Sequence, residues 1–435
     1  MLVEFTVGNY RSIKTEQTLH LQAAPLKSSL PRMDQDNLFD AGDRLQLLRS
    51  KAIFGANASG KTNLISGLAA FKTIVGEGLQ NPEVLQAQVQ PFLLDWEGET
   101  KPSFFQIVFV LDGFQYRYGF EATSEAIVSE WLFSKPVDTS THVRERFLFL
   151  RDGMSVDVND LQYKEGTRFA RTGKDQPTLF RVDSLFLPVV AAFNGSLALR
   201  ITQFLEDNLL IVNGLDELSL QKNAIEHFSN PLFQQRATSL LQAVDPAIVR
   251  LEKVEFDREG RFLGHPAIAV VRHRFQADGT SEGETYMLMD RHEAEGTKKL
   301  FALSQYLFSA LAQGCTLVID EFDARMHPHL SRSIVDLFHS PETNPRRAQL
   351  IFATHDVNLL DSRLLRRDQV AFARKDFRGA TEVYSLVEIK GVRNDASYEK
   401  EYLQGKYDAI PENLMALEEA VATYLTHGKA QTEGK

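Results

Sequence analysis

The residues best suited to chemistry lie between Lys51 and Thr62. There a short apolar strand, Lys51-Ala52-Ile53-Phe54, runs into Gly55-Ala56-Asn57-Ala58-Ser59-Gly60-Lys61-Thr62. Glycines at this spacing let the backbone wrap round a phosphate, so that successive N–H groups and the positive end of a following helix face anionic oxygens. In such a loop Lys61 reaches the β- and γ-phosphates of a nucleotide, and the Thr62 hydroxyl ligates Mg²⁺. Two elements must hold the loop: the strand before it and a helix after it. The helix is legible, because Leu64, Ile65, Leu68, Phe71 and Val75 recur at helical spacing. A nucleoside triphosphate with Mg²⁺ is the expected ligand.

Two more segments carry chemistry of the same kind. Thr316-Leu317-Val318-Ile319 is a continuous apolar run, as in a strand buried on both faces, and it ends in Asp320-Glu321. In a nucleotide site Asp320 would hold Mg²⁺ through water, and Glu321 would polarise the attacking water as general base. A second apolar strand, Leu350 to Ala353, ends in Thr354-His355-Asp356. Ligands of open α/β sheets sit at the carboxyl ends of strands, which places His355 within reach of a γ-phosphate. The plainer alternatives are a solvent-facing acid pair and a surface or helix-capping histidine.

Gly55 to Thr62, then Asp320-Glu321-Phe322-Asp323, then Thr354-His355-Asp356 together resemble the ABC-class ATPases of the SMC, RecF and OLD branch. Asn9-Tyr10-Arg11-Ser12-Ile13 looks like that branch's N-terminal motif, which packs beside the nucleotide and implies a role for Arg11. A closer resemblance is to stand-alone bacterial ATPases of abortive-infection type, the RloA-like group. It is carried by the Gly-Ala-Asn-Ala-Ser-Gly-Lys loop, by residues 320 to 328, by Leu365-Arg366-Arg367-Asp368-Gln369-Val370, and by the run from Tyr402 to Pro411. The resemblance also implies a signature motif, for which His292-Glu293-Ala294-Glu295-Gly296-Thr297 is the candidate. Gly296 and Thr297 would reach across a dimer to the partner's nucleotide. Relatives usually carry a serine where this chain has Ala294, so one hydroxyl contact is missing. Gln90 is a weaker candidate for sensing the γ-phosphate.

The elements around these motifs set the fold class. The expectation is an α/β, ABC-type phosphate-loop ATPase head with an N-terminal antiparallel β subdomain. Lys61 and Asp320 lie much further apart than a compact cassette needs, so a β-plus-helical insert is expected between them. Pro, Gly and the absence of heptads there argue against a coiled-coil arm. The domains read as 1–100 (first half of the head), 101–290 (insert), 291–427 (second half) and 428–435 (disordered tail). Early strands are expected around Leu2 to Val7 and Leu19 to Leu21, a loop over 24–45, strands at 104–111, 115–121, 146–150 and 267–275, and helices at 196–209 and 232–244. Trp96 and Trp131 read as core residues.

Composition narrows the class. In 435 residues, 43% hydrophobic content supports a substantial core, and a net charge of −10 gives no support to a protein that simply coats nucleic acid. One cysteine, Cys315, precludes an internal disulfide. The apolar run Leu185 to Phe193 contains Pro188 and is too short to span a bilayer, so no membrane partner is expected. The first residues lack a signal pattern, and a cytoplasmic placement follows. Dispersed arginines, including Arg151, Arg272 and Arg366, read as solvated or internally paired.

The expected function is an ATP-binding, ATP-hydrolysing, nucleotide-gated homodimer or higher oligomer. By resemblance it would be the sensor ATPase of an anti-phage system with a separately encoded nuclease or toxin. The acids after His355 include no tight pair on a strand end, so a nuclease would reside in that other chain. A DNA-repair or chromosome-maintenance clamp of RecF type is the alternative, and nucleic-acid binding stays open.

Overall fold

The computed structural model describes residues 1–138, 143–170, 179–257 and 260–410. The expected tail, 428–435, and the end of the 291–427 region lie outside the described residues.

A six-stranded sheet forms the centre. Its order is Leu209–Asn213, Thr316–Asp320, Gln349–Ala353, Ser50–Phe54, Val370–Lys375 and Thr381–Ser385. The first five strands run parallel and the last is antiparallel. Continuous apolar runs suit this position because both faces are covered. Alternate residues enter different cores: Ile53, Val318, Ile351 and Ala371 face one side, and Phe54, Ile319, Phe352 and Phe372 face the other.

Against the first side packs helix Lys61–Glu77, roofed by a seven-stranded antiparallel sheet that includes Leu2–Gly8 and Gln17–His20. Phe71 stacks on Phe120 with ring centroids 5.6 Å apart and meets Phe5 edge-on at 6.2 Å. The helix is thus held between two sheets by aromatic faces. The second side is covered by helices Glu295–Gln313 and Pro328–His339. No helix among the described residues exceeds the 19 residues of Glu295–Gln313, so none of them forms a coiled-coil arm. Nor is any of them long and apolar enough to cross a membrane.

Residues 101–290 are distributed over three sheets. Ser103–Leu111, Phe114–Ala122, Ile127–Pro136, Arg146–Asp152 and Ser155–Val158 continue the sheet begun by Leu2–Gly8, and Leu209–Asn213 joins the central sheet. Ile248–Phe256, Phe262–Phe275 and Ser281–Leu288 form a separate three-stranded sheet.

Several expectations need correction. The stretch 24–45 is not all loop: it holds the turn of helix Met33–Asp36 and strand Leu38–Gly42, which pairs with Leu45–Leu48. Leu47 and Phe39 fill a small core there with Val3 and Val108, contacts remote in sequence. The helix expected to reach residue 209 stops at Asp207, because Leu209 pairs with Thr316. Leu185 to Phe193 contains the helix Phe186–Ala192, with Pro188 in its first turn, where a missing N–H costs nothing. Trp96 is not core: it is 90% exposed and opens helix Trp96–Thr100 behind the Asp95 cap.

Buried polar groups fasten helix Pro328–His339 to the central sheet. The Gln369 amide oxygen accepts from Asn37 Nδ2 (2.7 Å) and from the Arg366 N–H (2.9 Å), which fixes the amide's orientation. Its nitrogen therefore donates toward His339 Nε2 at 3.2 Å, and Ser50 Oγ lies 2.8 Å from the same nitrogen. Nε2 must accept, so the ring is the neutral Nδ1–H tautomer. Burial, reinforced by Arg49, lowers the pKa of His339 from 6.5 to about 3. Protonation is thus favoured in the unfolded chain, and stability present above pH 6.5 is lost as pH falls toward 3. Between pH 7.5 and 5.0 this one group should remove about 2 kcal/mol of stability. Urea unfolding of His339→Gln at both pH values should show a fall smaller than the wild type's by that amount.

Candidate functional site

Strand Ser50–Phe54 delivers the chain into the loop 55–60, and helix Lys61–Glu77 leads away from it. Gly60, just before the helix, has φ +106°, and a Cβ there would collide with Thr381 Oγ1. Only glycine serves at that point. The loop is clamped by hydroxyls from both ends of the chain. Asn63 Nδ2 donates to Ser12 Oγ (2.6 Å), Ser12 Oγ lies 2.7 Å from Thr381 Oγ1, and Thr381 Oγ1 donates to the Ser59 carbonyl (3.0 Å). On the other flank the Ala56 N–H donates to the Ala409 carbonyl at 3.1 Å.

The loop borders a cavity of about 490 Å³ lined by residues Asn57 to Asn63 together with Glu321, His355 and Lys375. The parallel strands bring these together. Thr316–Asp320 and Gln349–Ala353 end level with Ser50–Phe54, so Glu321 and His355 emerge beside Lys61. His355 Nε2 is 3.9 Å from Glu321 Oε1. Asp320 ends its strand buried, its Oδ1 accepting the Glu321 N–H at 3.1 Å. Thr62 lies on the cavity in the first turn of the helix.

The electrostatics are those of a site built for anions and a cation together. Burial lowers the pKa of Lys61, while Glu321, Asp320 and Asp323 pull it back up. Burial, and then the Lys61 charge, lower the pKa of His355 against the same three acids. His355 is consequently neutral at pH 7. The Lys61 ammonium donates to the carbonyls of Gly55 (2.9 Å) and Ala56 (3.1 Å), and the buried Ser59 hydroxyl has no partner among the described residues. A lysine folded onto its own loop and an orphaned hydroxyl both fit a phosphate that would take up these donors. Thr62 lies on the cavity, whereas Asp320 is buried at the adjoining strand end and is not part of the lining; both are oxygen donors of the kind Mg²⁺ takes, one or two beside substrate phosphates and waters.

The remaining sequence-derived residues lie elsewhere. Arg11, at φ +49°, donates from Nε to Gln90 Oε1 at 2.9 Å, with its guanidinium 5.4 Å from the Tyr10 ring centroid. Neither Arg11 nor Gln90 lines the cavity; within Asn9–Ile13 it is Ser12 that touches the loop. Ala294, Gly296 and Thr297 begin helix Glu295–Gln313 and do not line this chain's own cavity. Glu295 is held away by Lys298 (2.8 Å) and Arg325 (2.9 Å).

Two residues have a part that the sequence reading did not assign. Lys375 ends strand Val370–Lys375 and brings a second cation to the cavity. Its signal was position at the carboxyl end of a strand adjacent to the phosphate-loop strand. Asp323 Oδ1 accepts from Thr354 Oγ1 (2.5 Å) and from the His355 N–H (3.1 Å), tying one strand end to the next.

The sequence profile of the family described as "AAA domain, putative AbiEii toxin, Type IV TA system" matches residues 52–154 and 183–361, more than half of the chain. The chain belongs to that family. The matched segments contain the phosphate loop, the Asp320-Glu321 strand end and His355. No curated protein matches the chain. Among solved structures it is similar to an SMC head domain from Thermotoga maritima (14% identity, TM-score 0.37, 88% of this chain and 98% of that one). It is also similar to a Pyrococcus furiosus Smc head domain bound to the C-terminal domain of ScpA (12%, 0.41, 88% and 96%). A third similarity is to cbiO1 of Clostridium perfringens, part of the ABC transporter complex cbiONQ (11%, 0.32, 93% and 92%).

Asp323→Ala removes two bonds to a charged acceptor and should cost about 1.5–3 kcal/mol in urea unfolding. The loss should appear without nucleotide, since both bonds are internal to the protein.

Proposed function

We propose that this chain binds ATP with Mg²⁺ in the Gly55–Thr62 loop and hydrolyses it as a nucleotide-gated dimer. The observation that carries the reading is the meeting of Lys61, Glu321 and neutral His355 on one cavity floored by the phosphate loop. Mg²⁺, when bound, neutralises charge on the β- and γ-oxygens. Gly55, Ala56, Asn57, Ala58, Ser59 and Gly60 shape the cradle, and Lys61 supplies the positive charge. Thr62 and Asp320 would hold the metal. Glu321 takes the proton of the attacking water, and His355, uncharged, presents a hydrogen-bond donor where negative charge builds up.

The 294–297 turn lies outside its own chain's cavity, which supports its use on the nucleotide of a second subunit. Gly296 and Thr297 would then offer helix-terminal N–H groups to the γ-phosphate. Ala294 has no hydroxyl to add, so closure is weaker than with serine and turnover slow. Arg11 bears on the site only through its chain neighbour Ser12, which belongs to the clamp on the loop.

The biological role we assign is that of the regulatory ATPase of a cytoplasmic anti-phage system of abortive-infection type, acting on a separately encoded nuclease or toxin. Family membership supports it, since the family description names a toxin and a type IV toxin–antitoxin system. So do the strings shared with the RloA-like group.

Glu321→Gln should lower kcat by about 10²–10⁴-fold while ATP is still bound. Sedimentation with ATP should then show a dimer that wild-type protein forms only transiently. Lys61→Ala should abolish both ATP binding and dimerisation. Tagged Glu321→Gln protein, recovered with ATP from its native host, should bring down one small effector in near-equal amount. Recovery of repair proteins or chromosomal DNA would instead favour a clamp of RecF type.

A further inference from the structure

Lysine is seldom fully buried, because taking an ammonium out of water is costly unless it is paired. Lys299, in the second turn of helix Glu295–Gln313, has no exposure at all. Its ammonium donates to the carbonyl of Gly214. Gly214 follows strand Leu209–Asn213, whose last residue is level with Asp320 in the parallel register. The Gly214 N–H in turn donates to the Asp320 carbonyl at 2.7 Å. The packing here is close. A Cβ on Gly214 would collide with the Glu321 carbonyl, lie 2.7 Å from the Asp320 carbonyl and 2.8 Å from Lys299 Nζ. The lysine thus plugs the point at which the strand bearing the acids turns away from the sheet.

That turn is strained. Glu321 has φ +51° and Arg325 has φ +62°, both left-handed and neither a glycine. Such conformations persist only where surroundings over-determine them. Arg325 supplies a second tie, since its Nη1 binds Glu217 Oε2 (2.6 Å) and Glu295 Oε2 (2.9 Å). The first two turns of the helix that begins at Ala294 are therefore fastened to the 320–325 turn at two points. One is buried and ionic-to-carbonyl, and the other is half-exposed and ionic.

We infer that Lys299 is a positioning residue: through Gly214 it holds the Glu321 backbone in its left-handed conformation and makes that backbone follow the helix bearing the 294–297 turn. This rests on the reading of Glu321 as the general base. A shift of the helix, as when its N-terminus engages a second subunit's nucleotide, is passed to Glu321 of the same chain. The two sites of a dimer are then coupled through a buried lysine rather than through the nucleotides.

The test is Lys299→Met, which keeps the stem and removes the charge, with Lys299→Arg as the variant that retains a donor toward Gly214. Amide hydrogen exchange of the full chain without nucleotide reads the backbone directly. Exchange over 320–326 should rise by about tenfold in Lys299→Met and stay at the wild-type rate in Lys299→Arg. ATP should bind Lys299→Met as it binds the wild type, while kcat falls by about a hundredfold with KM unchanged. Should the Met variant fail to fold, Lys299→Gln, shorter and polar, serves the same comparison. Unchanged exchange over 320–326 in the folded variant overturns the inference, as does an equal rise throughout helix Glu295–Gln313. If exchange rises locally while wild-type protein turns over no ATP, the hydrolysis reading falls and the positioning role stands.

Discussion

The site depends on one constraint, the parallel register of four strands. Ile53 lies opposite Ala353, Phe352 opposite Ile319, and Ile319 opposite Val212. Parallel strands in register end at the same edge, so residues hundreds of positions apart in sequence meet there without a specific contact having to find them. Register is fixed because both faces are buried: a slip of one residue would exchange the Ile53 and Phe54 faces between two differently shaped cores. The apolar runs that made these strands easy to read are thus what aligns Lys61, Glu321 and His355.

Register brings Lys61, Asp320, Glu321 and Asp323 into a poorly solvated space, where unpaired charge is costly. The structure offsets this with mutual pairing and with a clamp on the loop. The clamp draws on distant parts of the chain: Ser12 and Thr381 on one flank, Ala409 on the other. The C-terminal segment is itself braced by Tyr402 OH donating to the Ala409 carbonyl (3.2 Å), and by Phe372 stacked on Tyr402 at 5.7 Å. The run from Tyr402 onward, which sequence alone offered only as a family likeness, therefore has a physical function as a support for the phosphate loop. The Leu365–Val370 string has one too. Arg366 is buried, pairs with Asp368 at 3.0 Å and with Asp34, and Gln369 orients His339.

What the sequence made legible follows from locality. The phosphate loop, both strand ends and the long amphipathic helices declare themselves in windows of a few residues, and their expected positions match the structure closely. The misses share one cause, which is that the deciding contact is remote. Leu209–Asn213 follows a helix with no breaker but Asn208, and only pairing with Thr316 makes it a strand. Leu38–Gly42 sits among polar residues and is a strand because Phe39 meets Val3 and Val108. The same applies within the site. Asp323 was visible as part of a motif, but its hold on Thr354 and His355 depends on which strand lies next door.

Strain adds a last step to this account. Among non-glycine residues with positive φ, Asn9 and Arg11 lie just before the Ser12 clamp, Ala58 lies in the phosphate loop, and Glu321 and Arg325 follow the acid-bearing strand. Such residues cost free energy unless neighbouring bonds compensate. Three of them, Asn9, Arg11 and Glu321, carry visible compensation. Asn9 Nδ2 donates to the Gly98 and Lys101 carbonyls at 2.8 Å, Arg11 donates to Gln90, and Glu321 is held by Asp320 Oδ1 and packed against Gly214. These turns are therefore held from outside rather than relaxed locally. A backbone held that way moves when its supports move, and the supports of the 320–325 turn lie on the helix that opens with Ala294.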